Sequence, residues 1–325
     1  MLPTVVVVTH RAGDLLQTHL DALGAQTLRP ARVIVVVSSA APIPRPRLPE
    51  GLPVELLYLG ANPGFAAAAN AGLRRAKGPV VLLNDDTAPQ PEFLAALVAA
   101  AEPGAILQPV ILLWDGSGRL DNLGHHLLPD GFNLGIGRGR PPPEPLPDLV
   151  GAFSGAGVYL PAELLAEVGL FDEDLEAFGE DVDLSLRAVR RGYTVKLVPL
   201  ARMHHALGAT YGRVQPRKIY LVERNRVRAA LRSLPATAIL GMPATTALRL
   251  GLMGWTALRG GGPGAGAGLG GALAARAGGL AGAARAPDAL RKRARDRAGW
   301  ARGESEMLEY LWRHRATWED LGGRA

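Results

Sequence analysis

Cysteine is absent from the 325 residues of the chain. This absence excludes disulfide bonds, thiolate metal sites and cysteine nucleophiles, so any metal ion must be held by oxygen atoms and imidazole nitrogens. Aromatic residues are also scarce, at 5% of the chain. The basic part of the sequence lacks the interleaved aromatics of RNA-binding segments, and we therefore expect no nucleic-acid partner.

Long hydrophobic runs are missing as well. Residues 1–10 have no basic segment, and their apolar run is too short for a signal peptide. They are typical of a buried first strand, which predicts a cytoplasmic protein. The longest later run, residues 234–248, falls short of the roughly 20 apolar residues that span a bilayer.

Two nucleotide-binding motifs are also absent. The chain has no Gly-x-x-x-x-Gly-Lys-Ser/Thr sequence and no Gly-x-Gly-x-x-Gly sequence directly after a strand pattern. These absences argue against a P-loop nucleotidase and against a dinucleotide-dependent enzyme.

The chain is long enough, and at 48% hydrophobic residues apolar enough, to bury a large core. Its net charge of +6 is unevenly distributed, because residues 231–325 hold 14 Lys and Arg against 7 Asp and Glu. We predict a catalytic domain over residues 1–230 and a helical, Gly/Ala-rich basic region over residues 231–325.

The first third of the chain alternates strand and helix patterns. Short β-branched runs at residues 5–8, 33–37, 54–59 and 80–83 are separated by helical spacing at residues 15–23 and 65–76. This βαβ pattern predicts an α/β fold with a mainly parallel sheet flanked by helices. Ligands of such sheets bind beyond the carboxyl ends of the strands.

The middle third is less regular. Residues 115–147 mix Gly and Pro and predict a turn, a hairpin and a mobile loop near the substrate. Strand and helix patterns return at residues 152–168, followed by a helix over residues 180–191 and a strand over residues 194–199.

The C-terminal region permits two interpretations. A mildly apolar stretch at residues 231–258 is followed by a Gly/Ala-rich segment at residues 260–286 and a basic cluster at residues 291–295. This composition is typical of an interfacial helical region on an anionic membrane surface. A flexible linker followed by a solvated basic helix is the alternative.

An acidic pair, Asp85-Asp86, follows the fourth strand pattern directly. Carboxylates at this position suit a hard cation such as Mg²⁺ or Mn²⁺, which binds few protein carboxylates and completes its shell with phosphate oxygens and water. Asn and Asp also favour ordinary turns, which is the alternative interpretation.

A second acidic cluster, Glu180-Asp181-Val182-Asp183, begins a predicted helix. A helix N-terminus stabilises negative charge, which favours an ionised Asp181 that can accept a proton from a sugar hydroxyl. The alternative is a structural first-turn cluster with a helical pair between Asp183 and Arg187.

Two further segments carry candidate binding residues. Asn62-Pro63-Gly64-Phe65, with Asn70-Ala71-Gly72, opens a helix with small residues that allow a ligand to approach the backbone. His204 and His205 follow a strand, and either imidazole could be the nitrogen ligand of a cysteine-free metal site.

Taken together, these motifs resemble a family 2 glycosyltransferase of the GT-A fold, in the bacterial rhamnosyltransferase-like subgroup, over residues 3–230. The resemblance comes from a set of short motifs spread along that region. They are residues 5–11, Asn62-x-Gly-Phe, Asn70-x-Gly72, residues 82–86, Ser154-Gly155-Ala156, residues 171–173, residues 180–187 and Arg224-Asn225-Arg226.

The resemblance implies an inverting, metal-dependent sugar transfer from a nucleoside diphosphate, in the synthesis of cell-surface polysaccharide or glycolipid. It implies that Asp86, with Asp85, holds Mg²⁺ or Mn²⁺ against the donor diphosphate and that Asp181, beside Glu180, is the catalytic base. It further implies a donor pocket formed by Thr9, Arg11, Asn62, Gly64, Phe65 and Asn70. It also implies one histidine metal ligand, either His204 or His205. Rhamnose is the first expectation for the sugar, and a glycan or a lipid-linked sugar for the acceptor.

The chain departs from the family pattern at two positions. His10 stands where Asn is common, and Val37 stands where an Asp commonly reads the nucleobase. These departures keep open a catalytically silent relative that binds sugar nucleotides or acts as a scaffold. A nucleotidyltransferase is a third alternative, although the chain lacks the basic loop that such enzymes use for a triphosphate.

Overall fold

The computed structural model describes residues 1–11, 13–206, 215–258, 268–317 and 320. Eleven strands and ten α-helices lie within these ranges. The strands are β1 (Thr4–Thr9), β2 (Arg32–Val37), β3 (Val54–Tyr58), β4 (Val80–Asn84), β5 (Thr87–Pro89), β6 (Ala105–Leu113), β7 (Leu120–Asn122), β8 (His125–Leu127), β9 (Asn133–Gly135), β10 (Gly157–Leu160) and β11 (Thr194–His205). The helices are α1 (Asp14–Gly24), α2 (Phe65–Leu73), α3 (Phe93–Ala99), α4 (Ala162–Glu167), α5 (Glu180–Arg190), α6 (Pro216–Ser233), α7 (Ala236–Leu258), α8 (Gly268–Ala284), α9 (Ala286–Arg297) and α10 (Glu304–Arg313).

Nine strands form one sheet in the order β3-β2-β1-β4-β10-β6-β11-β5, with β7 paired to β6. The pairs among β1 to β4 are parallel, as is β6 with β11, whereas β10, β5 and β7 are antiparallel to their neighbours. The predicted α/β class is therefore confirmed, with a mixed sheet. A separate hairpin joins β8 to β9.

The central strands are buried on both faces. Alternate residues of β1 enter two different clusters: Val5 and Val7 pack with α1 and α3, and Val6 packs with α2, α4 and α5. This two-sided burial explains why the strand sequences are continuous apolar runs without alternation. Helices on both faces leave the carboxyl ends of β1 and β4 at one edge.

The structure revises two predicted elements. The 115–147 segment, predicted as a turn, a hairpin and a mobile loop, contains a hairpin of β8 and β9 and a further short strand, β7, which pairs with β6. Strand β11 continues to His205, beyond its predicted end at residue 199, with a bulge-type register shift between Val198 and Arg202.

The C-terminal helices pack on α5 and α6. Gly278 and Gly282 of α8 lie so close to α6 that a Cβ atom on either would be within 2.6 Å of an α6 carbonyl oxygen. Helix α10 buries Met307, Tyr310 and Leu311 in a cluster with α5 and β8. Residues 260–267 of the predicted Gly/Ala-rich segment lie outside the described residues.

Helix α7 is the one helix among the described ranges that is long and apolar enough to cross a membrane. Its candidate segment is Ala236–Thr256. An 18-residue window of this segment has a mean hydropathy of 1.2, and 6% of that window is buried inside the protein. The helix runs through Pro243, so the apolar stretch is longer than the sequence pattern indicated.

Candidate active site

The ends of β1 and β4 bring Thr9 and Asp85 together. The two strands are parallel neighbours with Val8 opposite Asn84, so the next residue of each strand lies at the same sheet edge. Thr9 Oγ1 donates a hydrogen bond of 2.5 Å to Asp85 Oδ2. Burial raises the pKa of Asp85 to about 6, although the hydrogen bond from Thr9 opposes this shift. Asp85 is thereby fixed in a defined orientation at the sheet edge.

The neighbouring Asp86 lies against the end of β11. Its Oδ1 atom is 3.2 Å from His205 Nε2, and His205 Nδ1 donates to Asp121 Oδ2 over 2.8 Å. Burial lowers the pKa of His205, but the contacts with Asp121 and Asp86 outweigh it and raise the pKa to about 9. The position between the two carboxylates therefore stabilises positive charge.

Asp86 and His205 fit a divalent cation. Asp86 Oδ1 is buried and accepts no hydrogen bond, although the imidazole nitrogen is close by. A carboxylate oxygen and an imidazole nitrogen in this relation are arranged as two ligands of one ion, and Asp121 orients the ring from the other nitrogen. No three His, Asp or Glu side chains converge as a metal site in the described part of the chain. A hard cation with two protein ligands would complete its shell with phosphate oxygens and water.

His204 does not join this group, which corrects its predicted place among the metal ligands. Its Nδ1 atom lies 3.4 Å from the Leu113 carbonyl oxygen, and its Nε2 atom lies 3.4 Å from Gln90 Nε2. Successive residues of a strand point to opposite faces, so only one of the two histidines can face Asp86.

Asp181 lies at the first turn of α5 with its carboxylate held from three sides. The backbone N–H groups of Gly155 and Val182 donate to it over 3.0 and 2.8 Å, and His125 Nε2 is 3.5 Å from Asp181 Oδ2. Burial tends to raise the pKa of Asp181, but the His125 ring and these N–H groups lower it below its usual value. Asp181 is therefore ionised at neutral pH.

The pKa of Glu180 shifts in the opposite direction. Burial and the negative charge of Asp181 raise its pKa well above the usual range, and its Oε2 atom has no hydrogen-bond partner. Adjacent carboxyl groups whose pKa values are driven apart are typical of acid–base sites. In this pair Asp181 can accept a proton, whereas Glu180 holds its own proton more strongly than an ordinary glutamic acid.

The two acidic centres are connected through the sheet. The Asn84 N–H group donates to the Ala156 carbonyl oxygen over 3.1 Å, so Asp85 and Gly155 flank one backbone contact. Because Gly155 in turn donates to Asp181, the carboxylates after β4 and those of α5 lie at the same edge of the sheet.

The loop before α2 borders the same edge of the sheet. Ser38 Oγ donates to Asn62 Oδ1, which also accepts from the Gly64 N–H group. Gly64 has a φ of 93°, and a Cβ there would be 3.0 Å from the Glu176 carbonyl oxygen. Phe65 packs edge-to-face on Phe171, so the loop joins the segment that precedes α5.

The structure also places three other residues that the sequence analysis named: Arg11, His10 and Asn70. Arg11 is exposed, and His10 lies beside the end of β2, with its Nδ1 atom 2.7 Å from the Ser38 carbonyl oxygen. The structure corrects the prediction that Asn70 binds the donor. Its side-chain nitrogen donates to the Phe171 carbonyl oxygen and to Glu173 Oε1, and its side-chain oxygen accepts from the Phe171 N–H group. The buried side chain therefore supports the scaffold and cannot bind the donor.

Two residues at this site escaped the sequence analysis. Asp121 supports His205, and His125 contacts Asp181, so one segment of five residues reaches both acidic centres. His125 Nδ1 lies 3.2 Å from Asn133 Nδ2, which favours the tautomer with the proton on Nε2, facing Asp181. The only signal in the sequence was a cluster of acidic and imidazole side chains in a predicted loop.

Comparison with known proteins identifies a family. Residues 79–263 match the family model described as glycosyl transferase family group 2, which is more than half of the chain.

Curated relatives include a galactofuranosyltransferase of Mycobacterium tuberculosis, 32% identical over 197 residues. The match covers 58% of this chain and 64% of the relative, so the chain spans less than two thirds of that protein's length. An N-acetylglucosaminyl-diphospho-decaprenol L-rhamnosyltransferase of the same species is 29% identical over 239 residues, which cover 64% of this chain and 77% of the relative.

Solved structures share the fold. GalNAc-T7 with UDP, GalNAc and Mn²⁺ matches at a TM-score of 0.55 and 18% identity, over 71% of this chain and 48% of the other. S. aureus TarS 1-349 in complex with UDP-GlcNAc matches at a TM-score of 0.52 and 14% identity, over 97% and 93%. The predicted GT-A architecture is thus confirmed.

Proposed function

Because the chain belongs to glycosyl transferase family group 2, we propose that it is an inverting transferase that moves a sugar from a nucleoside diphosphate to an acceptor hydroxyl. The observation that carries this proposal is the pair of acidic centres at one sheet edge. Asp181 has a lowered pKa beside Glu180, whose pKa is raised, and Asp86 with His205 forms a place for positive charge.

Asp181 performs the acid–base step in this proposal. Its carboxylate takes the proton of the acceptor hydroxyl as the acceptor oxygen attacks the anomeric carbon of the donor. The bond from that carbon to the diphosphate oxygen breaks on the opposite face, so the configuration inverts. The raised pKa of Glu180 disfavours a second negative charge beside the incoming oxygen, and the Gly155 N–H group keeps Asp181 oriented.

Asp86 and His205 would hold Mg²⁺ or Mn²⁺, which would neutralise the charge that builds on the leaving diphosphate. Asp121 fixes the His205 ring so that Nε2 faces Asp86. Thr9, Asp85, Asn62, Gly64 and Phe65 line the proposed donor side, with Arg11 at its exposed rim.

Rhamnose is the first proposal for the donor sugar. It is supported by the relative named as an L-rhamnosyltransferase, and galactofuranose is the second candidate because other relatives are named for it. Val37 offers no carboxylate at the end of β2, so the donor panel below includes UDP-, dTDP- and GDP-sugars.

We propose a glycan or a lipid-linked sugar as the acceptor, in the synthesis of cell-surface polysaccharide or glycolipid. The rhamnosyltransferase relative is named for a decaprenol-linked acceptor. Such an acceptor suits a cytoplasmic protein that lies on the inner face of the cell membrane, against an anionic lipid surface. The basic charge of residues 231–325 supports this location.

The test is nucleoside diphosphate release across a panel of UDP-, dTDP- and GDP-sugars with Mn²⁺ or Mg²⁺. We expect release from one donor, abolished by chelation and reduced by about 100-fold or more in Asp86→Ala and His205→Ala. His204→Ala is the matched control and should retain most of the rate. Donor binding without turnover, even with lipid-linked acceptors present, would instead support the catalytically silent relative.

A further inference from the structure

Helix α7 has an inverted distribution of polarity. One side, with Ala238, Ile239 and Met242, packs on the core cluster that contains α5 and α10. The opposite side exposes Leu240 and Leu248, at 82% and 64% of their surface. A surface helix of a water-soluble protein directs its apolar residues inward and its charges outward. Helix α7 leaves large apolar residues in contact with the surroundings.

The single charged residue of α7 faces the protein. Arg249 is 3% exposed, and its Nε atom is 2.7 Å from Asp130 Oδ2 and its Nη1 atom 2.9 Å from Glu223 Oε1. Arg226 completes this buried network with bonds to Glu223 and to the Asp130 carbonyl oxygen. The outer side of α7 therefore carries no charge along its whole length.

Helix α8 also exposes leucines, and it contacts Glu223 of α6 as α7 does. Its glycines face α6, and Gly278 lies against Glu223, the residue that also binds Arg249. Its leucines face outward, with Leu273 and Leu280 exposed at 60% and 65%. Helices α7 and α8 both contact Glu223, and both leave leucines exposed on their outer sides, which is the reverse of what water favours.

Basic side chains follow this apolar surface along the chain. Residues 268–297 contain seven Lys and Arg against two Asp. Five of these cations are exposed, on or directly after α8 and on α9: Arg276, Arg285, Arg291, Arg295 and Arg297. An uncharged apolar face with adjacent exposed arginines complements the acyl chains and the anionic headgroups of a bilayer. A protein partner would call for matching polar groups, which the exposed side of α7 does not offer.

We infer that the outer sides of α7 and α8 form a monotopic docking surface for an anionic membrane. The two helices lie in the membrane plane and enter one leaflet. The inference rests on the peripheral location proposed above and specifies which residues make the contact. Helix α7 does not cross the bilayer, because a spanning helix would separate Arg249 from Asp130 and Glu223 and leave its charge without a partner.

This docking surface has a consequence for the acceptor. Asp130, which binds Arg249, lies in the loop between β8 and β9, and β8 carries His125 beside Asp181. The hairpin that borders the catalytic base is therefore anchored directly to the docking helix. An acceptor hydroxyl on a lipid carrier would reach Asp181 from this side of the molecule.

Cosedimentation of the full chain with vesicles tests the inference. Wild type should bind phosphatidylcholine vesicles that contain phosphatidylglycerol and bind vesicles of phosphatidylcholine alone several-fold more weakly. Leu240→Asp with Leu248→Asp should lower binding by about tenfold or more, because two exposed apolar anchors become charged. The control, Leu48→Asp with Leu200→Asp, changes two exposed leucines elsewhere and should bind like wild type.

Other outcomes overturn the inference. Equal vesicle binding by both double variants would assign the contact to another surface, and bound protein that resists extraction at alkaline pH would indicate a spanning helix. A wild-type dimer that is lost in the α7 variant, without vesicle binding, would identify a second copy as the occupant. Equal thermal unfolding midpoints exclude misfolding, and no sugar donor is present, so these results are independent of the transferase proposal.

Discussion

At the scale of single residues, the site contains two adjacent carboxyl groups whose pKa values are shifted in opposite directions. Asp181 accepts two backbone hydrogen bonds and lies beside His125, whereas Glu180 next to it is buried without a partner for Oε2. Glu180 and Asp181 are adjacent in sequence but differ in their environment. The environment determines which of the two accepts a proton.

His125 should set the acid limit of activity. Burial tends to raise the pKa of Asp181, and the His125 ring is the largest influence that lowers it. Replacing His125 with Phe removes that influence and raises the pKa, so the loss of kcat/KM in acid should begin about one pH unit higher. A pH profile of the two proteins measures this, and Asn133→Ala should give a smaller shift in the same direction.

An unchanged acid limit in His125→Phe would show that the backbone N–H groups alone lower the pKa of Asp181. The rate at neutral pH should fall less than the rate in acid, because the base is ionised there in both proteins.

Single residues also show how far the sequence could predict the site. Asp85, Asp86, Glu180 and Asp181 were predictable because each directly follows a strand or begins a helix, and local spacing reveals both. Asp121 and His125 were not, because their strands have three residues each and show no periodicity. Their place depends on backbone pairing with distant residues, as in the bonds between His125 and Ala152.

At the scale of elements, the start of α5 is held by α6. Asn225 is fully buried, and its Nδ2 atom donates to the carbonyl oxygens of Leu175, Ala177 and Phe178 over 2.7 to 2.9 Å. The segment it holds contains three residues with positive φ: Glu176 at 62°, Phe178 at 65° and Gly179 at 93°. This unfavourable backbone leads directly into Glu180 and Asp181, so the bonds from Asn225 stabilise the position of the proposed base.

Replacing Asn225 with Asp should lower kcat with little change in KM for the donor. A carboxylate cannot donate, and it would face three carbonyl oxygens, so the segment before α5 should move and displace Asp181. We expect kcat to fall by about 100-fold, as small displacements of a catalytic group can cause. Steady-state kinetics measures both constants.

Arg74→Ala is the matched control for that measurement. Arg74 forms an exposed pair with Glu173 in the same part of the molecule, so its loss should leave kcat nearly unchanged. A similar fall of kcat in both variants would contradict a specific role of Asn225.

Elements also explain why the two histidines could not be distinguished from sequence. The strand pattern indicated that His204 and His205 face opposite sides, but not which side faces Asp86. That choice follows from the pairing of β11 with β5, in which His205 lies opposite Thr87, the residue after Asp86. Such pairing is a tertiary property that strand periodicity does not contain.

At the scale of the whole molecule, the C-terminal region supports the hairpin of β8 and β9. The Leu127 N–H group of β8 donates to the His314 carbonyl oxygen over 2.9 Å, and Tyr310 donates to the Val150 and Gly151 carbonyl oxygens. The boundary near residue 230 remains our proposal for the end of the catalytic domain, since α6 ends at Ser233. The region after it contributes contacts both to the hairpin and to the inferred membrane surface.

The central claim is that Asp181 is the base of a sugar transfer, and donor turnover in Asp181→Asn tests it most directly. With the preferred nucleoside diphosphate sugar and a divalent cation, wild type should release the diphosphate. Asp181→Asn should bind the donor with unchanged affinity but release diphosphate about 100-fold or more slowly, because asparagine cannot accept the proton. A wild-type rate in this variant would contradict the account.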